Sequence, residues 1–220
     1  MPKLLLIDAA NVSGGGGVLL QYLVDQLNER GLPFFVLKKE TTVLNATVDQ
    51  YADVDISLLN RRSVLRSYIR RLSPATLLCF GNFPPPFRSG VRTITYFHNP
   101  HYVKGHDKRN FSRRHELNRI LRRAYLQVNL HHSDLFVVQT PFIARAFANT
   151  FSVDQARIQV LPFYNQERIE AIAHEQEVAR TVKQPRTFLY ASSSEPHKNH
   201  LNLLKAWELL VDRGGLLFCT

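Results

Sequence analysis

Three stretches of this 220-residue chain combine residue types and spacings suited to binding or chemistry. The first is Ser192-Ser193-Ser194-Glu195-Pro196-His197-Lys198-Asn199. It follows Phe188–Ala191, a short apolar run with the pattern of a buried parallel strand. It precedes Leu201, Leu204, Ala206 and Leu209, which recur at helical spacing. A polar loop between strand and helix presents unpaired backbone N–H groups, and the helix dipole favours an anion there. Lys198 adds a point charge suited to phosphate. The plain alternative is a solvated turn with an exposed lysine. The second stretch is Gly14-Gly15-Gly16-Gly17, set between the apolar run Leu4–Ile7 and a helical pattern of Val18, Leu19, Tyr22, Leu23 and Leu27. Glycine at such a turn lets amides approach a ligand closely, because no Cβ intervenes. A ligand-free flexible turn fits the same residues. The third is His98, immediately beyond the strand pattern Thr93–Phe97. In open α/β sheets the groups just past strand carboxyl ends line the ligand crevice, although a histidine there also serves as a hydrogen-bonded structural residue.

Familiar alternatives fit less well. The glycine run is not a P-loop, since no Gly-Lys-Ser/Thr follows it. The dinucleotide fingerprint fails because Leu19 occupies its last glycine place, and Glu40 is only a weak match for the ribose-binding acid. His98, His101 and His106 lack a carboxylate or cysteine to complete a metal set, so no metal site is expected.

Alternating patterns must position these residues. Strands are expected at Leu4–Ile7, Pro33–Leu37, around Val54–Leu58, and at Leu77–Phe80, Thr93–Phe97, Leu135–Val138 and Arg157–Leu161. Arg62, Arg66 and Arg70 repeat opposite Leu65, Ile69 and Leu72, which describes an amphipathic helix with a basic face. From Ser112 on, Leu117, Ile120, Leu121, Ala124 and Val128 form one apolar helical stripe within the most basic segment, Lys104 to Arg123. Thr140-Pro141 caps a helix over Phe142–Ala148, and Gln166–Val178 reads as another. Gly81-Asn82-Phe83-Pro84-Pro85-Pro86-Phe87 is a stiff aromatic loop, equally suited to wall a pocket or to act as a spacer. Strands alternating with helices argue an α/β fold with a parallel sheet covered on both faces.

Composition narrows the class. The chain is 45% hydrophobic and 21% charged, which suits a packed globular protein. The net charge of +10 points to an anionic partner: nucleic acid, anionic lipid or a phosphorylated substrate. Cys79 and Cys219 lie in apolar runs and give no disulfide framework. No apolar run reaches the ~20 residues that span a bilayer, and the N-terminal apolar core is short for a signal peptide. A soluble cytoplasmic protein is the expectation.

The Pro196-His197-Lys198-Asn199 loop, with its flanking strand and helix, resembles the opening of the nucleotide-sugar domain in GT-B fold glycosyltransferases of family 4. Ser193 stands where that family usually carries arginine, and Ser192 where it carries glycine. The glycine turn, the aromatic-His strand end and the series VVQTPFIARAF then RIQVLPF are similar to the family's first Rossmann-like domain. The resemblance implies a Rossmann-like N-terminal, acceptor-side domain over 1–180, a linker at 181–185 and the start of a nucleotide-sugar domain over 186–220. It implies that Gly15, Gly16, Ser193 and Lys198 bind the donor and that His98 bonds the sugar as the catalytic-site histidine. The activity implied is transfer of a hexosyl residue from a UDP- or GDP-type nucleotide sugar to a glycan or lipid-linked acceptor. Configuration would be retained, with no metal or other cofactor. A single βαβ unit of ~30 residues cannot cover both faces of its sheet, so the second domain is expected to be incomplete and the chain inactive alone. The basic helices imply peripheral contact with an anionic membrane surface, each nearby base contributing ~1 kcal/mol. Nucleic acid is not expected, because aromatic interleaving is sparse. Two other classes fit parts of the sequence: a nicotinamide-dependent Rossmann oxidoreductase and a non-catalytic basic α/β module for nucleic acid.

Overall fold

The structure is a computed structural model, and it describes residues 3–12, 15–57, 60–103, 113–162 and 200–212. The chain divides into two compact units, Met1–His106 with Leu117–Phe163, and Asp107–Glu116 with Tyr164–Thr220.

The first unit is an α/β Rossmann-like fold built on a seven-stranded sheet. In chain order its strands are β1 (Leu5–Asp8), β2 (Phe34–Lys38), β3 (Tyr51–Asp53), β4 (Thr76–Cys79), β5 (Arg92–Phe97), β6 (Leu135–Val138) and β7 (Ile158–Val160). They lie in the order β3-β2-β1-β4-β5-β6-β7, all parallel. Helices α1 (Gly15–Glu29), α2 (Arg61–Leu72), α3 (Arg113–Asn129) and α4 (Pro141–Phe151) follow β1, β3, β5 and β6. Of the second unit, the first turn of α3 and the helix α5 (His200–Asp212) are described.

Strand alternation builds the two covered faces. Successive β1 residues point to opposite sides of the sheet. Ile7 joins Leu20, Val24 and Leu27 of α1 and Val36 of β2. Leu6 joins Leu65 of α2 with Leu37, Leu77 and Phe87. A third, aromatic cluster of Phe97, Phe136, Phe147 and Phe151 packs with Leu126 and Leu130 near the β5–β6 end of the sheet. The cap of α4 is the expected one: Thr140 Oγ1 accepts from the Ile143 amide at 3.2 Å, with Pro141 opening the helix.

One reading is corrected. The third strand is Tyr51–Asp53 and not Val54–Leu58. Asn60 ends the extended stretch early, because its side chain accepts from the Ser57 amide at 2.7 Å and donates to the Asp55 carbonyl at 2.8 Å. In α3 the apolar stripe of Leu117, Ile120, Leu121, Ala124 and Val128 is exposed, and among the described side chains Leu126, Asn129 and the following Leu130 are buried. Phe188–Ala191, Gln166–Val178 and the 181–185 linker lie outside the described residues.

Candidate functional site

The sheet order reverses between β1 and β4, where the chain leaves β1 toward β2 on one side and later returns beside it as β4. A crevice at the carboxyl ends of such strands is where open α/β sheets bind ligands. The loop after β1 leads into α1, and Gly16 lies buried in that helix's first turn. A Cβ placed on Gly16 would stand 3.1 Å from Val12 Cγ1, 3.6 Å from His98 Nε2 and 3.9 Å from His98 Cε1. A side chain there would press on Val12, whereas its distance to the imidazole is an ordinary van der Waals contact, so the N-terminus of α1 lies close to His98. A Cβ placed on Gly15 or Gly17 would meet nothing within 4 Å. Of the two sequence-predicted donor-binding glycines, Gly16 thus stands beside His98, with Gly15 next to it in the first turn of α1.

Asn82, just past β4, fixes His98. It is buried and adopts a φ of 72°, a left-handed conformation that asparagine tolerates better than most residues. Its Oδ1 accepts from the backbone amides of His98 at 2.8 Å and Asn99 at 2.9 Å. Those two bonds settle which way the amide points: Nδ2 must face the ring, and it lies 3.4 Å from His98 Nε2. An NH2 group facing Nε2 favours a lone pair there, so the ring proton belongs on Nδ1. Nδ1 is buried and has no hydrogen-bond partner among the described residues in either tautomer, so it does not alter the choice. Tyr96 stacks on the ring with centroids 5.3 Å apart. Burial lowers the His98 pKa and keeps the imidazole neutral at neutral pH. A neutral ring with an acceptor at Nε2 can take a hydrogen bond from a ligand hydroxyl.

Arg61 holds the loop that carries Asn82. Its side chain is 1% exposed. It donates to Asp8 Oδ2 at 2.8 and 3.0 Å, to the Phe83 carbonyl at 2.8 Å and to the Pro84 carbonyl at 2.6 Å. Burial opposes the guanidinium charge, but Asp8 outweighs it, and the Arg61 pKa rises above its ordinary value. The neighbouring Cys79 thiol is pushed up to about 12 by burial, against the pull of Arg61, which makes it inert near neutrality. The sequence reading passed over Arg61 in favour of Arg62, Arg66 and Arg70. A signal was nevertheless present, for Arg61 falls in register with the inward stripe of buried Leu65 and partly buried Ile69 and Leu72. Asp8 ends an apolar strand and needs a cation once buried.

The Pro-rich loop is largely buried, and Phe83 lines a cavity with Asn11 and residues of α3. Ser193 and Lys198 lie outside the described residues, whereas α5 begins at His200, immediately after that loop. Among the described residues no group of three His, Cys, Asp or Glu comes together as a metal site. No helix among them is long and apolar enough to cross a membrane.

No protein-family model and no curated protein matches the sequence. Among solved structures, a glycosyltransferase from Rickettsia africae matches with a TM-score of 0.53 at 15% identity, over 95% of this chain and 57% of its own. The Bordetella bronchiseptica enzyme WbmG, solved with NAD and UDP, matches with a TM-score of 0.42 at 12% identity, over 63% of this chain and 53% of its own. The Thermus thermophilus UDP-glucose 4-epimerase, solved with NAD, matches with a TM-score of 0.39 at 13% identity, over 62% of this chain and 54% of its own. The likeness is one of fold, and the chain spans little more than half the length of each of these structures.

Proposed function

We propose that this chain is part of a GT-B glycosyltransferase of the family 4 type. It transfers a hexosyl residue from a nucleotide sugar to a glycan or lipid-linked acceptor with retention of configuration. The observation that carries the reading is the meeting of Gly16 with His98, 3.6 Å from a Cβ position to Nε2, at the carboxyl edge of the sheet. The likeness of fold to the Rickettsia glycosyltransferase over 95% of the chain supports it, as does the start of α5 directly after Lys198-Asn199. In this reading the bond between the sugar's anomeric carbon and the donor diphosphate breaks, and a bond to the acceptor oxygen forms on the same face. The acceptor hydroxyl gives its proton to the departing diphosphate oxygen. As the family resemblance implies, Lys198, Ser193 and the amides at the start of α5 would offset the charge left on the diphosphate. In the first unit the amides around Gly15 and Gly16 would serve as donor contacts, as the family resemblance implies. His98 Nε2 accepts from a sugar hydroxyl, which displaces the long contact from Asn82.

A thermal-shift screen with UDP, GDP and their sugars tests donor binding. One nucleotide sugar is expected to raise the melting temperature of the wild-type protein and to lose most of that effect in Lys198→Ala. Equal shifts in both proteins would remove Lys198 from the site. No shift with any nucleotide sugar would remove the donor class altogether.

The strand order β3-β2-β1-β4-β5-β6 is shared with dinucleotide-binding sheets and favours a second reading, a nicotinamide-dependent enzyme. Against it stand Leu19 in the fingerprint and Lys38 at the end of β2, which is ion-paired with Asp53. Enhanced NADH fluorescence on mixing with the protein would establish that reading in place of the first.

A further inference from the structure

We propose that the cavity lined by Phe83 binds a sugar carrying a carboxylate or phosphate, and that this acidic sugar is the acceptor end of the reaction. The acceptor role rests on the glycosyl-transfer reading; the binding itself does not. The cavity measures about 210 Å³ and is lined by Asn11, Phe83, Asn118, Leu121, Arg122 and Tyr125. Three elements build it: the loop after β1, the loop after β4, and α3. Arg61 ties all three together. Its guanidinium donates to Asp8 at the end of β1 and to the Phe83 and Pro84 carbonyls, and it reaches the Tyr125 hydroxyl at 3.5 Å. Gly81 lets the first two loops meet, since a Cβ there would stand 3.0 Å from Asn11 Cβ. The walls are therefore set before any ligand arrives. Asn11 precedes Val12, which packs at Gly16, and Phe83 follows Asn82, which bonds the His98 amide. The cavity thus adjoins the crevice that holds His98.

The lining selects the ligand. Phe83 and Tyr125 meet at 75° with centroids 5.7 Å apart, an aromatic corner that suits the C–H face of a pyranose ring. Asn118 Oδ1 accepts from Arg122 Nε at 3.0 Å, one turn away on α3, and this steadies the guanidinium. The Nη groups of Arg122 make no hydrogen bond among the described residues, and their fork matches the paired oxygens of a carboxylate or phosphate. Asp8 neutralises Arg61, and no carboxylate stands among the described lining residues, so the charge of Arg122 is uncompensated there. The Tyr125 hydroxyl accepts from Arg61 and keeps its own proton to donate, while the Asn11 and Asn118 amides serve ring hydroxyls. The volume lies below the roughly 300–1,000 Å³ of sites for drug-sized molecules, which fits one sugar unit and not a nucleotide.

Saturation-transfer NMR titrations of the purified chain with glucuronate, glucose 6-phosphate and glucose, without nucleotide, test it. At least one acidic sugar should bind about ten-fold or more tighter than glucose, and the tighter of the two names the anionic group. Arg122→Gln should weaken that sugar about ten-fold and leave glucose unchanged. Tyr125→Phe should weaken it about three-fold. Arg70→Gln on α2 removes the same charge outside the cavity lining and should change nothing. Arg122 is exposed and Tyr125→Phe keeps the ring, so circular dichroism and the melting temperature should match the wild type. Equal affinity for glucose would overturn the proposal, as would no binding of either acidic sugar. A loss in Arg70→Gln as large as that in Arg122→Gln would also overturn it, by making the attraction one of net charge. Donor binding is read separately by the thermal-shift screen: its failure with the acidic sugar still bound would strike the acceptor role and leave the site.

Discussion

Helices α2 and α3 carry the same kind of pattern, an apolar stripe among closely spaced arginines, yet the fold uses them in opposite ways. In α2 the stripe turns inward, with Leu65 fully buried against Leu6, Leu37 and Leu77. It takes Arg61 in with it, and the guanidinium finds Asp8 and two carbonyls waiting. In α3 the mixed face goes inward. Leu126 packs there, Arg123 lies over the Phe151 ring at 5.7 Å, and Arg119 donates to the His101 carbonyl. The apolar stripe is left outside. An arginine can be buried when its donors are all matched and can cover an aromatic ring when they are not. Hydrophobic periodicity therefore locates a stripe without saying what the stripe faces.

The contrast can be broken at Arg61 first. Arg61→Ala leaves Asp8 buried without its partner and two carbonyls without donors, and it should destabilise the fold by about 3–5 kcal/mol in urea unfolding. The double replacement Asp8→Leu with Arg61→Met should cost clearly less than Arg61→Ala; equal or greater cost would show that the pair matters through something besides its charges. Next, Leu65→Ala in α2 should cost about 2–5 kcal/mol, whereas Leu121→Ala in α3 should stay within about 0.5 kcal/mol. Similar losses at the two sites would mean that the α3 stripe is packed after all. Asn82→Ala should cost about 1–3 kcal/mol, because two buried amides lose their acceptor and the φ of 72° suits alanine poorly. Nitrogen-15 NMR of His98 should show the proton on Nδ1 in the wild type, and Asn82→Asp should move it to Nε2 and raise the pKa. An unchanged tautomer in Asn82→Asp would separate Asn82 from the control of the ring.

The smallest effect is the pH dependence. The folded-state pKa of His98 lies below its unfolded value, so the unfolded chain binds the proton more readily. The contribution of neutral His98 is fully present above the unfolded histidine value of about 6.5 and is lost as pH falls through the folded pKa. His98→Gln should flatten the decline in urea midpoint below about pH 6.5. An unaltered pH profile would place the acid sensitivity elsewhere.

Much of the frame was legible before any coordinates. Short apolar runs and helical periodicities located six of the seven strands closely, together with α1, α2 and α4, because parallel strands buried on both faces leave continuous apolar signatures. His98 was legible as a loop residue at a strand end for the same reason, whereas the glycine run read as a turn and Gly15, Gly16 and Gly17 open α1. Asn82 and Arg61 were not. The role of Asn82 rests on two amides sixteen and seventeen residues away and on a left-handed backbone that the sequence does not announce. Arg61 reads as one more surface cation in a basic helix until Asp8, 53 positions earlier, is seen beside it.

By itself the sequence determined that strands and helices alternate and that the chain is strongly basic, since local periodicity and composition need no partner to be expressed. It also determined that glycine and histidine would stand at strand ends. Tertiary structure alone decided that Gly16 lies against His98, that Asn82 orients the ring, that one arginine is buried, and that a leucine stripe is left in water. Each of these depends on which elements become neighbours, and contacts between residues far apart in the chain are set by the packing of the whole sheet and its helices rather than by any one stretch of it.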